Sequence, residues 1–157
     1  MCGQLWGAKL ETYADEAEAL FTNFAEKHSL NIVKKSEEQM DLSMIVPQQS
    51  GLSFEIMLGL QNNDEINIGI GNFWSYFFPF PEVKDKVAII LDGLCTGDTR
   101  LATHTQFNKP VFRDLEISTQ TAWERAYRQV CGFKLPIVST KITYLGNNTS
   151  QPLPGRS

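Results

Sequence analysis

Apolar residues fall on every second position in three neighbouring stretches of this chain. Leu42, Met44 and Val46 form the first, which Pro47 ends. Leu52, Phe54, Ile56, Leu58 and Leu60 form the second, with Ser53, Glu55 and Gly59 between them. Ile66, Ile68, Ile70, Trp74, Tyr76, Phe78 and Phe80 form the third, interrupted at Asn72. A two-residue period is the mark of a strand that buries one face. The turn clusters Gln48-Gln49-Ser50-Gly51 and Asn62-Asn63-Asp64 separate the stretches. Together they predict an antiparallel meander with one wet face.

The third stretch, INIGIGNFWSYFFPFP at 66–81, holds six of the chain's 17 aromatic residues. As one strand, its even positions belong to the core. Its odd positions, Asn67, Gly69, Gly71, Phe73, Ser75 and Phe77, start small and polar and become aromatic. That odd face is covered either by the protein itself or by a partner, since clustered exposed aromatics mark binding surfaces. Pro79 and Pro81 stop the ladder because neither has an N–H to donate.

Elsewhere the period is helical. Tyr13, Ala17, Leu20, Phe21, Phe24 and His28 share one face of a helix that opens at Thr12, with Asp15 completing a capping box. Val83, Val87, Ile90, Leu91 and Leu94 form the stripe of a second helix, from Pro81 to a Gly97 cap. Thr121 and Glu124 form a second capping box and predict a third helix, burying Ala122, Trp123, Ala126, Tyr127 and Val130 and stopping at Gly132. Residues 30–34, 99–106, 111–117 and 137–145 are expected as further strands, with a hairpin loop at 107–110. Residues 1–11 are expected as an irregular arm or the start of a strand. The fold class is therefore α+β: an antiparallel sheet (meander) packed by about three helices. Residues 1–145 read as a single domain and 146–157, polar and Pro-rich, as a flexible tail.

Composition narrows the class. A chain of 157 residues with 42 % hydrophobic content can bury a core. No run of about 18 apolar residues is present, so no membrane span is expected. No basic start leads into an apolar stretch, and three cysteines without paired spacing argue against a disulfide framework; a cytoplasmic setting is expected. Charge is uneven. Residues 1–65 carry 4 basic and 11 acidic side chains, a net of −7, and residues 66–157 carry 10 and 7, a net of +3. An acidic half disfavours nucleic acid and suits a basic protein partner.

Candidate chemistry is sparse. Two histidines and three cysteines form no zinc spacing. Gly69-Ile70-Gly71 has Trp74 where GxGxxG needs glycine, and GxSxG is absent. No metal or cofactor is expected. Cys95 and His104 could in principle pair, but a cysteine at a helix C-terminus meets the wrong end of the dipole. It reads as a small core residue and His104 as a surface one. Glu55 is either a general acid or base under a covered strand face or, as alternation favours, a solvent-facing side chain. Arg100, Arg113, Arg125 and Arg128 could gather around an anion.

From Glu65 to Leu101, a Gly-x-Gly aromatic strand (IGIGNFWSYFFPF) leads into a helix ending LDGLCTGDTRL and then a strand. This order resembles small bacterial α+β proteins, among them immunity proteins encoded beside secreted toxins. In that strand such proteins often carry a histidine after the aromatic, where this chain has Ser75. The resemblance implies a cytosolic, non-enzymatic protein that binds and neutralises a toxin. The candidate contact residues are Glu37, Glu38, Asp41, Asp64 and Glu65 on the acidic half, with Phe73, Trp74, Tyr76 and Phe77 on the aromatic strand. Two alternatives stay open. One is a small-molecule-binding protein or enzyme with Trp74, Tyr76 and Phe78 around a pocket and Glu55 or Arg100 as the polar handle. The other is a homodimer that pairs through the aromatic strand.

Overall fold

A computed structural model describes residues 12–147; the expected N-terminal arm and all but the first two residues of the expected tail lie outside them. The first helix, α1 (Ala14–Lys27), leads into strands β1 (Val33–Lys35), β2 (Leu42–Val46), β3 (Ile56–Gln61), β4 (Glu65–Ile70) and β5 (Phe73–Phe77). Helix α2 (Phe80–Thr96) follows, then β6 (Thr99–Gln106), β7 (Lys109–Ser118), β8 (Trp123–Val130) and β9 (Lys141–Leu145). The first five strands form one antiparallel meander in the order β1-β2-β3-β4-β5. The last four form a second antiparallel sheet in the order β8-β7-β6-β9. The α+β class holds, with two sheets and two helices among the described residues.

The inner face of the first sheet carries the core. Met44, Leu58 and Ile68 form one cross-strand row, and Leu42, Leu60, Ile66 and Phe77 the next. Against them pack Ala17, Phe21, Phe24 and Ala25 of α1 and Phe80, Val87, Ile90, Leu91 and Leu94 of α2, all buried. Each of the phenylalanine, valine, leucine and isoleucine side chains among them stabilises the fold by about 1.5–3 kcal/mol through burial. Lys34, in the Met44 row, reaches Glu18 of α1 at 2.7 Å, which places the helix on this face. Thr12 Oγ1 accepts from the Ala14 N–H, one residue earlier than a capping box would place it. The second sheet joins the same core through Leu101, Leu115 and Tyr127, whose ring meets Phe73 and Phe77 at 6.0 and 5.4 Å.

Two corrections to the sequence expectations change what faces solvent. The stretch 66–81 is a hairpin, because Gly71 and Asn72 form a two-residue turn between β4 and β5. Gly71 sits at φ 56°, a region open to glycine at little cost. Ile70 and Phe73 then face each other across the ladder and point the same way, so parity reverses at the turn. Ile66, Ile68 and Ile70 are buried with Phe73, Ser75 and Phe77. Tyr76 and Phe78 are exposed and Trp74 is partly exposed. Within the hairpin the even face is thus core only as far as Ile70 and the odd face from Phe73 on; the even-numbered Phe80 is buried as the first residue of α2.

The expected third helix is strand β8. Thr119 and Ala122 close a turn, with Thr119 N–H donating to Ala122 O and Ala122 N–H to Thr119 Oγ1, so no helix starts at Thr121. The ladder to β7 is interrupted between Leu115 and Glu116, whose partners are Tyr127 and Arg125, leaving Ala126 as an extra residue. That bulge breaks strict alternation and spaces Trp123, Tyr127 and Val130 as a helix would. Boundaries also move: β1 is Val33–Lys35 rather than 30–34, and β7 begins at Lys109, inside the expected loop. Residues 52–55 precede β3 and are held by the Gln49–Leu52 bridge, and β9 begins at Lys141 rather than 137.

A candidate docking face on the first sheet

The outer face of the first sheet has an apolar row that crosses all five strands. Val33 pairs with Ile45, Ile45 with Met57, Met57 with Gly69, and Gly69 with Trp74. The adjoining row runs Lys35, Ser43, Gly59, Asn67 and Tyr76, and beyond it Gln61 pairs with Glu65. Two glycines let large side chains lie flat on the backbone. A Cβ at Gly69 would collide with the Trp74 ring, and one at Gly59 with the end of Met40. The face is therefore lined by Val33, Ile45, Met57, Met40, Trp74 and Tyr76. Val33 is 45 % and Tyr76 44 % exposed. Both helices pack on the opposite side.

One end of this face is acidic. Glu37, Glu38 and Asp41 stand exposed in the loop between β1 and β2. Asp64 lies in the β3–β4 turn and Glu65 begins β4, at the same end of the sheet. The two loops are tied together: Asp41 N–H donates to Leu60 O at 2.9 Å, and Asp41 Oδ2 accepts from Asn63 N–H at 2.8 Å. A cleft of about 470 Å³ opens there, lined by Lys35, Glu37, Met40, Asp41 and Ser43 among others. Strand ends and ladder register thus bring two acidic clusters, 37–41 and 64–65, onto the rim of one apolar stripe.

Of the nine residues singled out from the sequence, seven share this face or its rim. Phe73 and Phe77 do not: they are 1 % and 5 % exposed and pack on Tyr127, so they are removed from the contact surface. Val33, Ile45, Met57 and Met40 were missed, because the row exists only once the register is known. Trp74, Tyr76 and Phe78 line none of three clefts found among the described residues. The largest of these, about 510 Å³, lies at the far end of the second sheet between Phe107, Pro110, Val111, Phe133 and Leu135. The outer flank of β5, which a strand-paired homodimer would use, is met by β8; Arg113 also donates to Asn72 O there.

The other polar residues form structural pairs. On the outer face of the second sheet, Asp114, 3 % exposed, accepts two hydrogen bonds of 2.6 Å from Arg128. Phe112 lies between Arg128, 3.9 Å above its ring, and His104, whose ring is 4.2 Å away. His104 is therefore largely covered and not at the surface as expected. Its Nε2 is 3.3 Å from Asp114 Oδ2 but out of line for a hydrogen bond. Burial holds its pKa below the usual imidazole value, an effect that Arg128 and Lys134 add to and that Asp114 and Glu116 oppose. Arg100 is clamped between the Trp123 and Tyr144 rings, each at 3.9 Å, and pairs with Glu116 at 2.7 Å. The arginines do not converge on one anion site. Cys95 is half-buried against the core, and burial with the nearby Asp92 charge pushes its thiol up to about 11, the opposite of an activated nucleophile. Glu55 is exposed, the solvent-facing alternative.

Among the described residues, no group of three or more His, Cys, Asp or Glu is placed to hold a metal ion, and no helix is long and apolar enough to cross a membrane. No family model matches the chain, and no curated protein sequence or solved structure is significantly similar to it.

Proposed function

We propose that this chain is a cytoplasmic protein-binding protein of the immunity type, which neutralises a basic toxin domain by docking it on the outer face of the first sheet. The observation that carries the proposal is the apolar row Val33–Ile45–Met57–Gly69–Trp74, which carries no helix on this side and is exposed at Val33, partly exposed at Ile45, Met57 and Trp74, and rimmed by Glu37, Glu38, Asp41, Asp64 and Glu65. An apolar stripe with an aromatic anchor supplies affinity. An acidic rim speeds encounter with a basic partner and selects against acidic ones. The resemblance of residues 65–101 to immunity proteins supports the same conclusion.

The test is co-expression with candidate toxin domains, scored by cell survival. Protection is expected from the wild-type chain and is expected to be lost in Trp74→Asp with Met57→Asp, which leave the inner face untouched. Full protection by that double variant would remove the face from the function.

A further inference from the structure

Asn67 occupies the middle of the outer face, in the row between Gly59 and Tyr76, and is 0 % exposed. Its Nδ2 donates to Ser75 O at 3.2 Å and approaches Glu65 Oε1 at 3.5 Å. Its Oδ1 is buried and has no hydrogen-bond partner. An acceptor buried without a donor costs on the order of 1–3 kcal/mol, and native folds rarely leave one unpaired. Here the amide nitrogen of Asn67 is the atom that meets the Glu65 carboxylate, the two residues sharing a side of β4, and Asn67 lies directly across the ladder from Tyr76, which is 44 % exposed. An orphan acceptor, an anion and an aromatic face form a set that recognises a cation with several N–H groups.

We propose that Asn67, Glu65 and Tyr76 form a subsite for an arginine side chain of the docked protein. This rests on the docking face proposed above and names what that face reads. The guanidinium donates one N–H to Asn67 Oδ1 and another to the Glu65 carboxylate, and its plane stacks on the Tyr76 ring. Because Asn67 is 0 % exposed, the subsite requires the exposed Tyr76 side chain, its cross-strand neighbour, to swing aside as the guanidinium enters. Arginine fits better than lysine because its planar fork can meet the two acceptors at once while its face stays on the ring. The partner's arginine is thereby placed between the apolar row and the acidic rim.

The experiment needs no partner. The full chain is titrated with N-acetyl-arginine amide, and the Asn67 side-chain amide and the Tyr76 ring are followed by NMR. The neutral citrulline analogue and N-acetyl-lysine amide serve as comparisons. Saturable shifts at both residues are expected with arginine only. Glu65→Gln is expected to weaken the arginine affinity about tenfold, the effect of losing one charged hydrogen bond; Tyr76→Ala, an exposed position that does not threaten folding, is expected to weaken it several-fold. Absence of shifts at Asn67, or equal binding of citrulline or lysine, overturns the subsite. A toxin domain that still docks on the face in that event leaves the docking proposal standing. Arginine binding at Asn67 in a chain that fails to protect through this face has the opposite meaning.

Discussion

Truncating Phe73 and Tyr76 separately distinguishes the two faces of β5. Phe73 is 1 % exposed and lies edge-on to Tyr127 at 6.0 Å, so Phe73→Ala empties core volume between the two sheets. Phe→Ala at such a site costs about 3–5 kcal/mol, transfer and cavity together. For a domain of this size each kcal/mol lowers Tm by about 2–4 °C, so the midpoint should fall by roughly 6–20 °C. Tyr76 lies three residues on, with 44 % of its surface exposed on the opposite face. Tyr76→Ala should cost less than about 1 kcal/mol. Urea unfolding of both variants, with the slope m unchanged from wild type, gives the two values directly. A Tyr76→Ala cost equal to or above that of Phe73→Ala would refute the parity reversal at Gly71-Asn72, and with it the assignment of Trp74 and Tyr76 to an open face.

Three further outcomes follow from the same geometry. Gly69→Val should lift Trp74 off the sheet, shifting its indole NMR resonance and costing about 1–3 kcal/mol for the overlap; an unmoved resonance would contradict the close packing. His104 has a lowered pKa in the fold, so its contribution to stability is complete above the usual imidazole range and is lost as pH falls through about 6.5 toward the lower folded value; in His104→Gln, unfolding measured across that range should show a flatter slope. Burial alone would raise the Asp92 carboxyl, but hydrogen bonds from Lys27 and His28 outweigh it and hold it below the ordinary value. Its contribution is therefore present above the usual Asp range and lost as pH falls through the folded value, a loss that acid unfolding should show to be smaller in Asp92→Asn.

Much of this fold was legible in one dimension. The alternations at 42–46 and 56–60, the stripe of α2 and the span Thr99–Gln106 all appear in the structure because local pattern and burial agree there. Two places were not legible. Gly71-Asn72 reads as a flaw in a long strand until backbone pairing shows it to be a turn, and a two-residue turn reverses parity for everything after it. Trp123 to Val130 has helix-like spacing only because a bulge at Ala126 displaces the period, and pairing with β7 decides the matter. The acidic half of the candidate site was visible as charge, and Trp74 and Tyr76 of its apolar half as aromatics. The rest of the apolar row was not, since Val33, Ile45 and Met57 come from three strands and become neighbours only through register. Asn67 carries no sequence signal at all, and its significance lies in a missing hydrogen bond.

The docking face itself is tested most directly by association kinetics with a toxin domain that the chain neutralises. The rate constant for association is measured over a range of ionic strength for the wild type and for Glu37→Lys with Asp41→Lys. A wild-type rate that falls with added salt, and a slower, less salt-dependent rate in the charge-reversed chain, is the expected result. Identical rates and identical salt dependence would contradict the placement of the partner against this acidic rim.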